Sequence, residues 1–247
     1  MERKKYAIRV KNVTKNYMNG KNIKQKVFKN FSIDFEEGAI HCILGVSGCG
    51  KSTLLKMIAG LENVDLGEID FSKKINQDSM FLSMILQENN LLPWLTVYQN
   101  IKFCIESSGV NYTEEEIDNI LKQYNLYEFK KFYPYELSVG LKQKVALCKT
   151  IMTKPKIILL DEPFCALDFI SKENIHKLFI NEFSKEQFTS ILSTHYLEEA
   201  VVLGDYIHLL GKDNKYFKIK NPLKKPRNKD KSYSEFLELI KDKYREG

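Results

Sequence analysis

The sequence predicts an α/β fold, in which helices cover both faces of a mostly parallel sheet. Three observations carry this prediction. Short strand-like segments alternate with helical ones over most of the 247 residues. A glycine-rich segment lies between a predicted strand and a predicted helix, and a mostly helical stretch from about residue 88 to 152 interrupts the alternation. We therefore expect an α/β core that carries an inserted helical subdomain.

The first part of the chain supplies the strands that lead to the glycine-rich segment. Apolar and polar residues alternate over residues 6–12 and, more clearly, over 27–38, which is typical of strands with one buried face. The continuous apolar run 39–44 predicts a fully buried strand. A helix over 54–60 is expected to end at its final glycine. Two further strands are predicted over residues 67–71 and 81–86.

The helical stretch contains two helices with recognisable starts. Thr113 is a candidate N-cap, and the acidic residues after it suit the positive end of the helix dipole. Ile117, Ile120 and Leu121 follow at helical spacing. The second helix opens at Ser138 and keeps a helical period to residue 152.

Strands and helices alternate again after this stretch. The predicted strands cover residues 156–160, 188–193, 206–210 and 215–219, and the predicted helices cover about 171–183 and 196–203. We place the end of the main domain, residues 1–220, after the last of these strands. Residues 221–230 are expected to form a basic linker and the rest of the chain to 247 a short amphipathic helix. The apolar positions of that helix are Tyr233, Phe236, Leu237, Ile240 and Tyr244.

Composition and charge exclude several classes of protein. The apolar content of 43% with 28% charged residues is typical of a soluble globular protein. The net charge of +6 is concentrated in residues 218–247, where ten basic and five acidic residues lie. A nucleic-acid-binding protein carries its positive charge on the folded face that docks, so we expect no nucleic-acid partner and interpret the charge as a solvated tail rather than a phosphate-binding arm.

Cysteine usage and hydropathy indicate a reducing compartment. The five cysteines are odd in number, irregularly spaced and without a C-x-x-C pair, which argues against a disulfide framework or a zinc site. No apolar run approaches the roughly 18 residues of a membrane span. The charged start of the chain leads into no signal-type hydrophobic stretch. Any membrane role is therefore expected to depend on a partner.

The glycine-rich segment is a phosphate-binding motif. It matches the pattern G-x-x-x-x-G-K-[ST] between a predicted strand and a predicted helix, the context in which that pattern is meaningful. Glycines permit backbone turns that aim successive N–H groups at phosphate oxygens, and the helix N-terminus adds partial positive charge. Lys51 is expected to neutralise the β- and γ-phosphates, and the Ser52 hydroxyl to ligate Mg²⁺. The motif residues are Gly45, Val46, Ser47, Gly48, Cys49, Gly50, Lys51 and Ser52.

Two carboxylates follow the apolar strand 157–160. Asp161 is expected at the carboxyl edge of the sheet, where open α/β sheets bind ligands, and suits the shell of a Mg²⁺ ion directly or through water. Glu162 is placed to polarise an attacking water. A strand-ending acidic pair that faces solvent is the alternative, but the upstream phosphate motif favours the functional interpretation.

With these two motifs, three further segments resemble the ATP-binding cassette (ABC) ATPases. The segment Leu137–Lys144, LSVGLKQK, is similar to the signature L-S-G-G-Q of that family. Ala166-Leu167-Asp168 is similar to its D-loop, and Ser193-Thr194-His195 to its switch histidine. Gln87 matches the glutamine of its Q-loop, and Tyr17 stands where the family stacks an aromatic ring on adenine. The resemblance extends from about residue 6 to 210, and no other P-loop family shares this set.

The resemblance implies a P-loop NTPase core with an antiparallel β subdomain and the helical subdomain, and ATP and Mg²⁺ as cofactors. It implies that Glu162 is the general base and that His195 holds the γ-phosphate and the water. It also implies that Ser138 and Gly140 cap the γ-phosphate of ATP held by a second subunit. The implied nucleotide-binding residues are Tyr17, Gly45, Val46, Ser47, Gly48, Cys49, Gly50, Lys51, Ser52, Thr53, Gln87, Ser138, Gly140 and Asp168, and the implied metal ligands are Ser52, Gln87 and Asp161.

One segment narrows the resemblance within the family. LLPWLTV, residues 91–97, resembles the nitrate/sulfonate/taurine branch of bacterial ABC importers. That branch implies transmembrane permease subunits as partners, a homodimer or a paired ATPase subunit, and indirect work with a periplasmic or lipid-anchored solute-binding protein. It implies a peripheral location on the cytoplasmic side of the cell membrane. The region of Trp94 is a candidate dock for the permease, with ordinary packing as the alternative.

The signature segment departs from the family pattern. Val139 replaces its first glycine, Leu141 its glutamine and Lys144 its closing arginine. A β-branched side chain where a backbone approaches phosphate is expected to crowd the ligand, which predicts weaker hydrolysis. Three alternatives to a transport ATPase stay open. They are a P-loop kinase or GTPase-like switch, a nucleic-acid-linked ABC protein, and a degenerate, binding-only cassette of an unequal pair, the last of which Val139 suggests. The first does not account for the signature segment, and the second usually has two cassettes or long coiled-coil insertions.

Overall fold

The computed structural model describes residues 5–18, 24–72, 82–86, 91–211 and 215–246. Its smaller sheet has three antiparallel strands in the order β2-β1-β4. These are β1 (Tyr6–Met18), β2 (Lys24–Glu36) and β4 (Leu66–Phe71). Strand β1 is longer than the predicted 6–12 because a bulge at Asn12, with φ of +50°, shifts its alternation and hides the second half from the period-two pattern.

Among the described residues, the larger sheet has six strands in the order β5-β6-β7-β3-β8-β9, and of these the last pair alone is antiparallel. Strands β3, β6 and β7 are buried along their whole length, which explains their continuous apolar runs. Since these three neighbours are parallel, their carboxyl ends meet at one edge of the sheet. The strands are β3 (Ile40–Gly45), β5 (Leu82–Ile85), β6 (Ile157–Asp161), β7 (Thr189–Thr194), β8 (Tyr206–Leu210) and β9 (Tyr216–Lys220).

The helices fall into two groups. Helix α1 (Lys51–Ile58) follows β3 directly, and α5 (Phe169–Glu186) and α6 (Leu197–Leu203) connect the later strands. The predicted helical stretch contains α2 (Val97–Ser108), α3 (Glu114–Gln123) and α4 (Val139–Met152). The predicted N-cap of α3 is confirmed, because the Thr113 hydroxyl accepts from the Glu116 N–H while the Glu116 carboxylate accepts from the Thr113 N–H.

Two apolar cores lie on opposite faces of the larger sheet. One joins the three-stranded sheet to α1 and includes Ile8, Phe35 and Leu54, all fully buried. The other packs the helical stretch and α5, α6 and α7 (Lys231–Glu246) against the opposite face. The helices of the interrupting stretch therefore share a continuous core with the sheet. This position carries α4 and its N-terminus close to the segment after β6, where Leu167 lies against Gly140.

The C-terminal residues are not the solvated tail that the charge pattern suggested. Tyr233, Phe236 and Ile240 of α7 are buried, as the amphipathic pattern requires. The linker cation Arg227 has only 1% of its side chain exposed, and both it and Lys225 pair with Asp205. The linker packs against the fold because the Asp205 carboxylate is partly buried and the linker supplies the cations that balance its charge. Other basic residues of this segment, such as Lys231, are exposed.

Candidate active site

The phosphate-binding motif forms the turn between β3 and α1, at the carboxyl edge of the larger sheet. Gly50 has φ of +105°, and a Cβ atom there would lie 2.7 Å from Cζ of Phe28. A Cβ atom on Gly45 would lie 2.5 Å from the carbonyl oxygen of Leu210. The backbone path therefore requires glycine at both ends of the motif. Gly50 is needed for its positive φ, and Gly45 because no Cβ atom fits there.

Lys51 begins α1 and turns its side chain back over the motif. Its Nζ donates to the carbonyl oxygens of Gly45 at 2.8 Å and Val46 at 3.2 Å. It also lies 3.7 Å from Oε1 of Glu162 and is only 5% exposed. A buried ammonium with three oxygen neighbours at the carboxyl end of β3 is a concentrated positive charge suited to a phosphate chain.

Asp161 ends β6 at the same edge and is buried. Its Oδ1 accepts from the Ser52 hydroxyl at 2.9 Å and from the Ser193 hydroxyl at 2.7 Å. The Ser193 oxygen in turn accepts from the backbone N–H of Glu162 at 3.0 Å. Ser193 therefore fixes both acidic residues, a role that the sequence did not reveal. The only signal in the sequence was a hydroxyl near the end of a buried strand.

Glu162 has a left-handed backbone, with φ of +47°, which is uncommon for a residue other than glycine. Its Oε2 lies 3.2 Å from Nδ1 of His195, and its Oε1 lies near Lys51. The His195 side chain is 43% exposed. The carboxylate is thus held between an ammonium and an imidazole, on a residue whose backbone conformation is strained.

The oxygen donors beside the motif fit a magnesium ion that is bound together with a nucleotide. The Ser52 hydroxyl and the Asp161 carboxylate lie side by side, and both are hard oxygen ligands. Within the described ranges, no cluster of three or more His, Cys, Asp or Glu residues could hold a metal by itself. Mg²⁺ is commonly held by one or two protein oxygens with phosphate and water completing its shell, so this sparse donor set suits it.

Tyr17 lies in the second half of β1, beside the first turn of α1. Its hydroxyl donates to the Glu62 carboxylate and lies 3.4 Å from Oγ1 of Thr53. Burial and the hydrogen bond to Glu62 raise the pKa of Tyr17. The ring is half-buried and therefore partly available to a ligand that occupies the motif.

The signature residues lie on another element and do not join this cluster in the described part of the chain. Ser138 is exposed and caps α4, accepting from the Leu141 N–H at 3.3 Å. Asp168 caps α5, and hydrogen bonds from Ser171 hold the pKa of Asp168 below its usual value. Gln87 lies outside the described residues. The structure brings together the motif, the acidic pair and His195, whereas the signature faces solvent from the N-terminus of α4.

Comparison with known proteins places the chain in a family. A family model described as "ABC transporter" matches residues 28–165. The aliphatic sulfonates import ATP-binding protein SsuB of Bacillus cereus is 35% identical over 226 residues, which cover 90% of each chain. The nitrate import ATP-binding protein NrtD of Synechocystis is 37% identical over 186 residues, or 74% of this chain and 70% of that protein.

One similar protein has been solved as a dimer with the products of ATP hydrolysis bound. The dimeric, post-hydrolysis cassette MJ0796 bound to ADP and Pi is 29% identical, with a TM-score of 0.73 over 86% of this chain and 98% of that one. No helix in the ranges that the structure describes is long and apolar enough to cross a bilayer. The chain belongs to the ABC transporter family and is one of its ATP-binding, ATP-hydrolysing subunits.

Proposed function

We propose that this chain hydrolyses ATP to drive a membrane importer for small oxyanionic solutes of the nitrate, sulfonate or taurine type. The observation that carries the ATPase part is the convergence of Lys51, Ser52, Asp161, Glu162 and His195 at the ends of three adjacent strands. The solute class rests on similarity to sulfonate and nitrate importer subunits. Recognition of the solute would then belong to the permease and a periplasmic or lipid-anchored binding protein.

Nucleotide binding would use the motif, from Gly45 to Thr53, and the neighbouring Tyr17. The backbone N–H groups of the motif and the N-terminus of α1 would hold the phosphates. Lys51 would exchange its present carbonyl partners for the β- and γ-phosphates. The exposed part of the Tyr17 ring would stack on the base, which is worth about 1–3 kcal/mol in comparable sites.

Ser52 and Asp161 would hold Mg²⁺, with Gln87 as a further ligand and sensor of the partner. When bound, the ion supplies charge neutralisation on the transferred phosphoryl group. Glu162 would orient a water and accept its proton. Its position between Lys51 and His195 supports this role, because both neighbours fix the carboxylate and His195 can also donate to the γ-phosphate.

A second copy, or a paired ATPase subunit, would complete the site. Ser138 and Gly140 lie at the exposed N-terminus of α4, which suits them to cap a γ-phosphate held by a partner subunit. Asp168 would contribute at the same interface. The dimeric state of the similar cassette supports this arrangement. ATP would stabilise the closed dimer by its differential affinity, and hydrolysis would release it.

The test replaces Glu162 with Gln, which keeps the size of the side chain but removes the base. We expect the loss of at least about 100-fold in ATP hydrolysis, as general acid–base catalysis contributes that much. ATP should then be trapped, and light scattering should detect a stable dimer in MgATP. The exposed Glu235→Gln on α7 is the matched control and should behave as the wild type. An E162Q variant that stays monomeric in MgATP contradicts the proposed mechanism.

The permease would dock near Trp94. Trp94 is 68% exposed and Tyr135 is 74% exposed, and each is a large apolar side chain in the helical stretch. Such residues are enriched in the centres of protein interfaces. The location of the chain would then be peripheral, on the cytoplasmic side of the membrane.

Permease docking is tested with Trp94→Ala in the full chain. Because truncation of an aromatic residue at an interface hot spot costs about 2 kcal/mol or more, recovery of the transmembrane subunits with the tagged chain from detergent-solubilised membranes should fall by more than tenfold. ATP binding should not change. Leu239→Ala, at an apolar residue of α7 that is 47% exposed, serves as the control. Equal recovery with the wild type, Trp94→Ala and Leu239→Ala would show that Trp94 is not part of the docking surface.

A further inference from the structure

The hydroxyl of Tyr17 is anchored rather than free. It donates to Oε2 of Glu62, a residue in the loop that follows α1, and its second neighbour is Thr53 at 3.4 Å. Tyr17 and Glu62 are 45 positions apart, and each lies on a different element. The hydrogen bond therefore connects the end of β1 to the loop that follows α1, the helix that begins at the phosphate-binding motif.

Glu62 is itself held by two cations. Lys15 Nζ lies 3.7 Å from its Oε2, and Lys56 Nζ lies 3.9 Å from its Oε1. Lys15 is buried, donates to the carbonyl oxygen of Asn63 at 2.7 Å and lies over the Tyr17 ring, 5.1 Å from its centroid. One face of the ring is thus turned toward an ammonium, which leaves the opposite face for a flat ligand.

A second connection fixes the same strand end. The backbone N–H and the side-chain amide of Asn16 both donate to Oδ2 of Asp65, at 2.9 and 2.8 Å. Residues 15–17 are therefore joined to residues 62–65 by three successive side chains. A strand end tied in this way does not need Glu62 to keep its backbone in place, so the Tyr17–Glu62 hydrogen bond acts mainly on the orientation of the ring.

We infer that Glu62 is a positioning residue that holds the Tyr17 ring in the orientation needed to stack on the base of the nucleotide. The inference rests on the proposed function, in which Tyr17 is the stacking residue. A tyrosine without the anchor would sample several rotamers and lose that freedom when the base binds. The anchor removes this cost in advance. It acts on the base alone, since neither Glu62 nor Lys15 has a described contact with the residues at 45–52.

The experiment measures the binding of MgATP and of magnesium tripolyphosphate, which lacks the base, by calorimetry. The variants are Tyr17→Phe, which keeps the ring and removes the hydroxyl, Glu62→Ala, and the double variant. Each is expected to weaken MgATP binding by about three- to tenfold, the effect of one hydrogen bond. The double variant should bind MgATP no more weakly than either single variant. Tripolyphosphate binding should be unchanged throughout.

Two further variants complete the design. Glu62→Gln retains an acceptor for the Tyr17 hydroxyl and should recover most of the affinity. Glu68→Gln removes a carboxylate of the exposed Lys11 pair on β4 and should have no effect. Unchanged MgATP binding by Tyr17→Phe would overturn the inference, and so would equal weakening of ATP and tripolyphosphate by Glu62→Ala. Failure of the wild type to bind MgATP would instead refute the proposed function.

Discussion

Val139 lies at the first turn of α4, next to the Ser138 cap, and half of its surface is exposed. The first N–H groups of a helix have no partner within the helix and point outward, so they are the groups that a phosphate of a second subunit would meet. The Val139 side chain stands beside them. Half of the Val139 surface faces solvent, so a group that approaches the helix N-terminus would meet this side chain.

Replacing Val139 with Gly is therefore expected to raise the ATPase rate. Removing the side chain opens the approach to the helix N-terminus, and we expect an increase of about two- to tenfold, or 0.4–1.4 kcal/mol in the barrier. Steady-state hydrolysis in MgATP measures it. Val139→Ala, which removes both γ-methyl groups but keeps Cβ, should give an intermediate rate. An unchanged or lower rate in the glycine variant would show that Val139 does not limit hydrolysis.

Among individual residues, the sequence could identify those whose role depends on residues next to them in the chain. Lys51 and Ser52 were found because a contiguous motif forms their environment, and Asp161 because it ends an apolar strand. Ser193 and Glu62 were missed. Their partners lie 32 and 45 positions away, and only the strand order and the path of β1 bring them together. The roles of these side chains remain predictions, and the Glu62 variants described above test one of them.

The carboxylate of Asp205 holds the linker after β9 in place. Asp205 accepts from the Ile40 N–H at the start of β3, from Lys225 at 2.8 Å and from Arg227 at 3.0 Å. Although burial by itself raises the pKa of Asp205, the hydrogen bond from Ile40 and the two cations hold it below its usual value. Arg227 also donates to the carbonyl oxygen of Val202 at 2.7 Å, at the end of α6. The linker is thus attached to the strand that leads into the active site.

Arg227→Ala should therefore destabilise the fold. The change breaks a buried ion pair and leaves the Val202 carbonyl without this donor, and we expect a loss of about 2–3 kcal/mol in the free energy of unfolding. Lys225 still faces Asp205, which keeps the loss below that of a fully unpaired charge. Urea denaturation measures it. Lys229→Ala, in an exposed pair with Glu198, is the control and should cost less than about 0.5 kcal/mol. Equal stability of the two variants would contradict this account.

The sequence predicted the start of a helix correctly where a single capping residue determines it. Thr113 and Ser138 start their helices because each side chain caps the backbone within three residues. The second half of β1 was missed because the bulge at Asn12 changes the alternation. The linker was predicted to be solvated because charge alone does not reveal that Asp205, 22 positions before Arg227, needs a cation. The division of the chain at residue 220 remains a prediction.

At the scale of the whole molecule, the two sheets meet at a pair of buried histidines. Three contacts of about 3 Å connect the Tyr216 hydroxyl to Nδ1 of His208, Nε2 of His208 to Nδ1 of His41, and Nε2 of His41 to the Glu36 carbonyl oxygen. Because that carbonyl can only accept, Nε2 of His41 carries a proton. When both rings are neutral, Nε2 of His208 donates to Nδ1 of His41, and the Tyr216 hydroxyl donates to Nδ1 of His208. Burial lowers the pKa of His41 to about 4 and that of His208 well below its usual value, and the Glu36 carboxylate is neutralised by Lys218.

Stability should consequently fall in acid. Both pKa values are lower in the folded state than the roughly 6.5 of an unfolded histidine, so the unfolded chain binds more protons as the pH falls below that value. For His41 alone we expect a loss of about 2 kcal/mol between pH 8 and pH 5, and little change above pH 7. Urea unfolding at both pH values measures it. His208→Phe should remove the part of the pH dependence that His208 contributes, whereas His195→Gln, at an exposed site, should preserve the whole of it. A pH-independent free energy in the wild type would contradict the assignment.

The sequence by itself determined the family, the chemistry of the phosphate-binding motif, the acidic end of β6 and the helix starts. Each of these depends on residues within one turn or one strand, whose physical requirements are local. The tertiary structure alone decided that Ser193 fixes Asp161 and Glu162, that Glu62 anchors Tyr17, that the basic linker is buried, and that two histidines join the sheets. These contacts link residues 22 to 167 positions apart, and their energies depend on which elements the topology makes neighbours. No local pattern encodes that information.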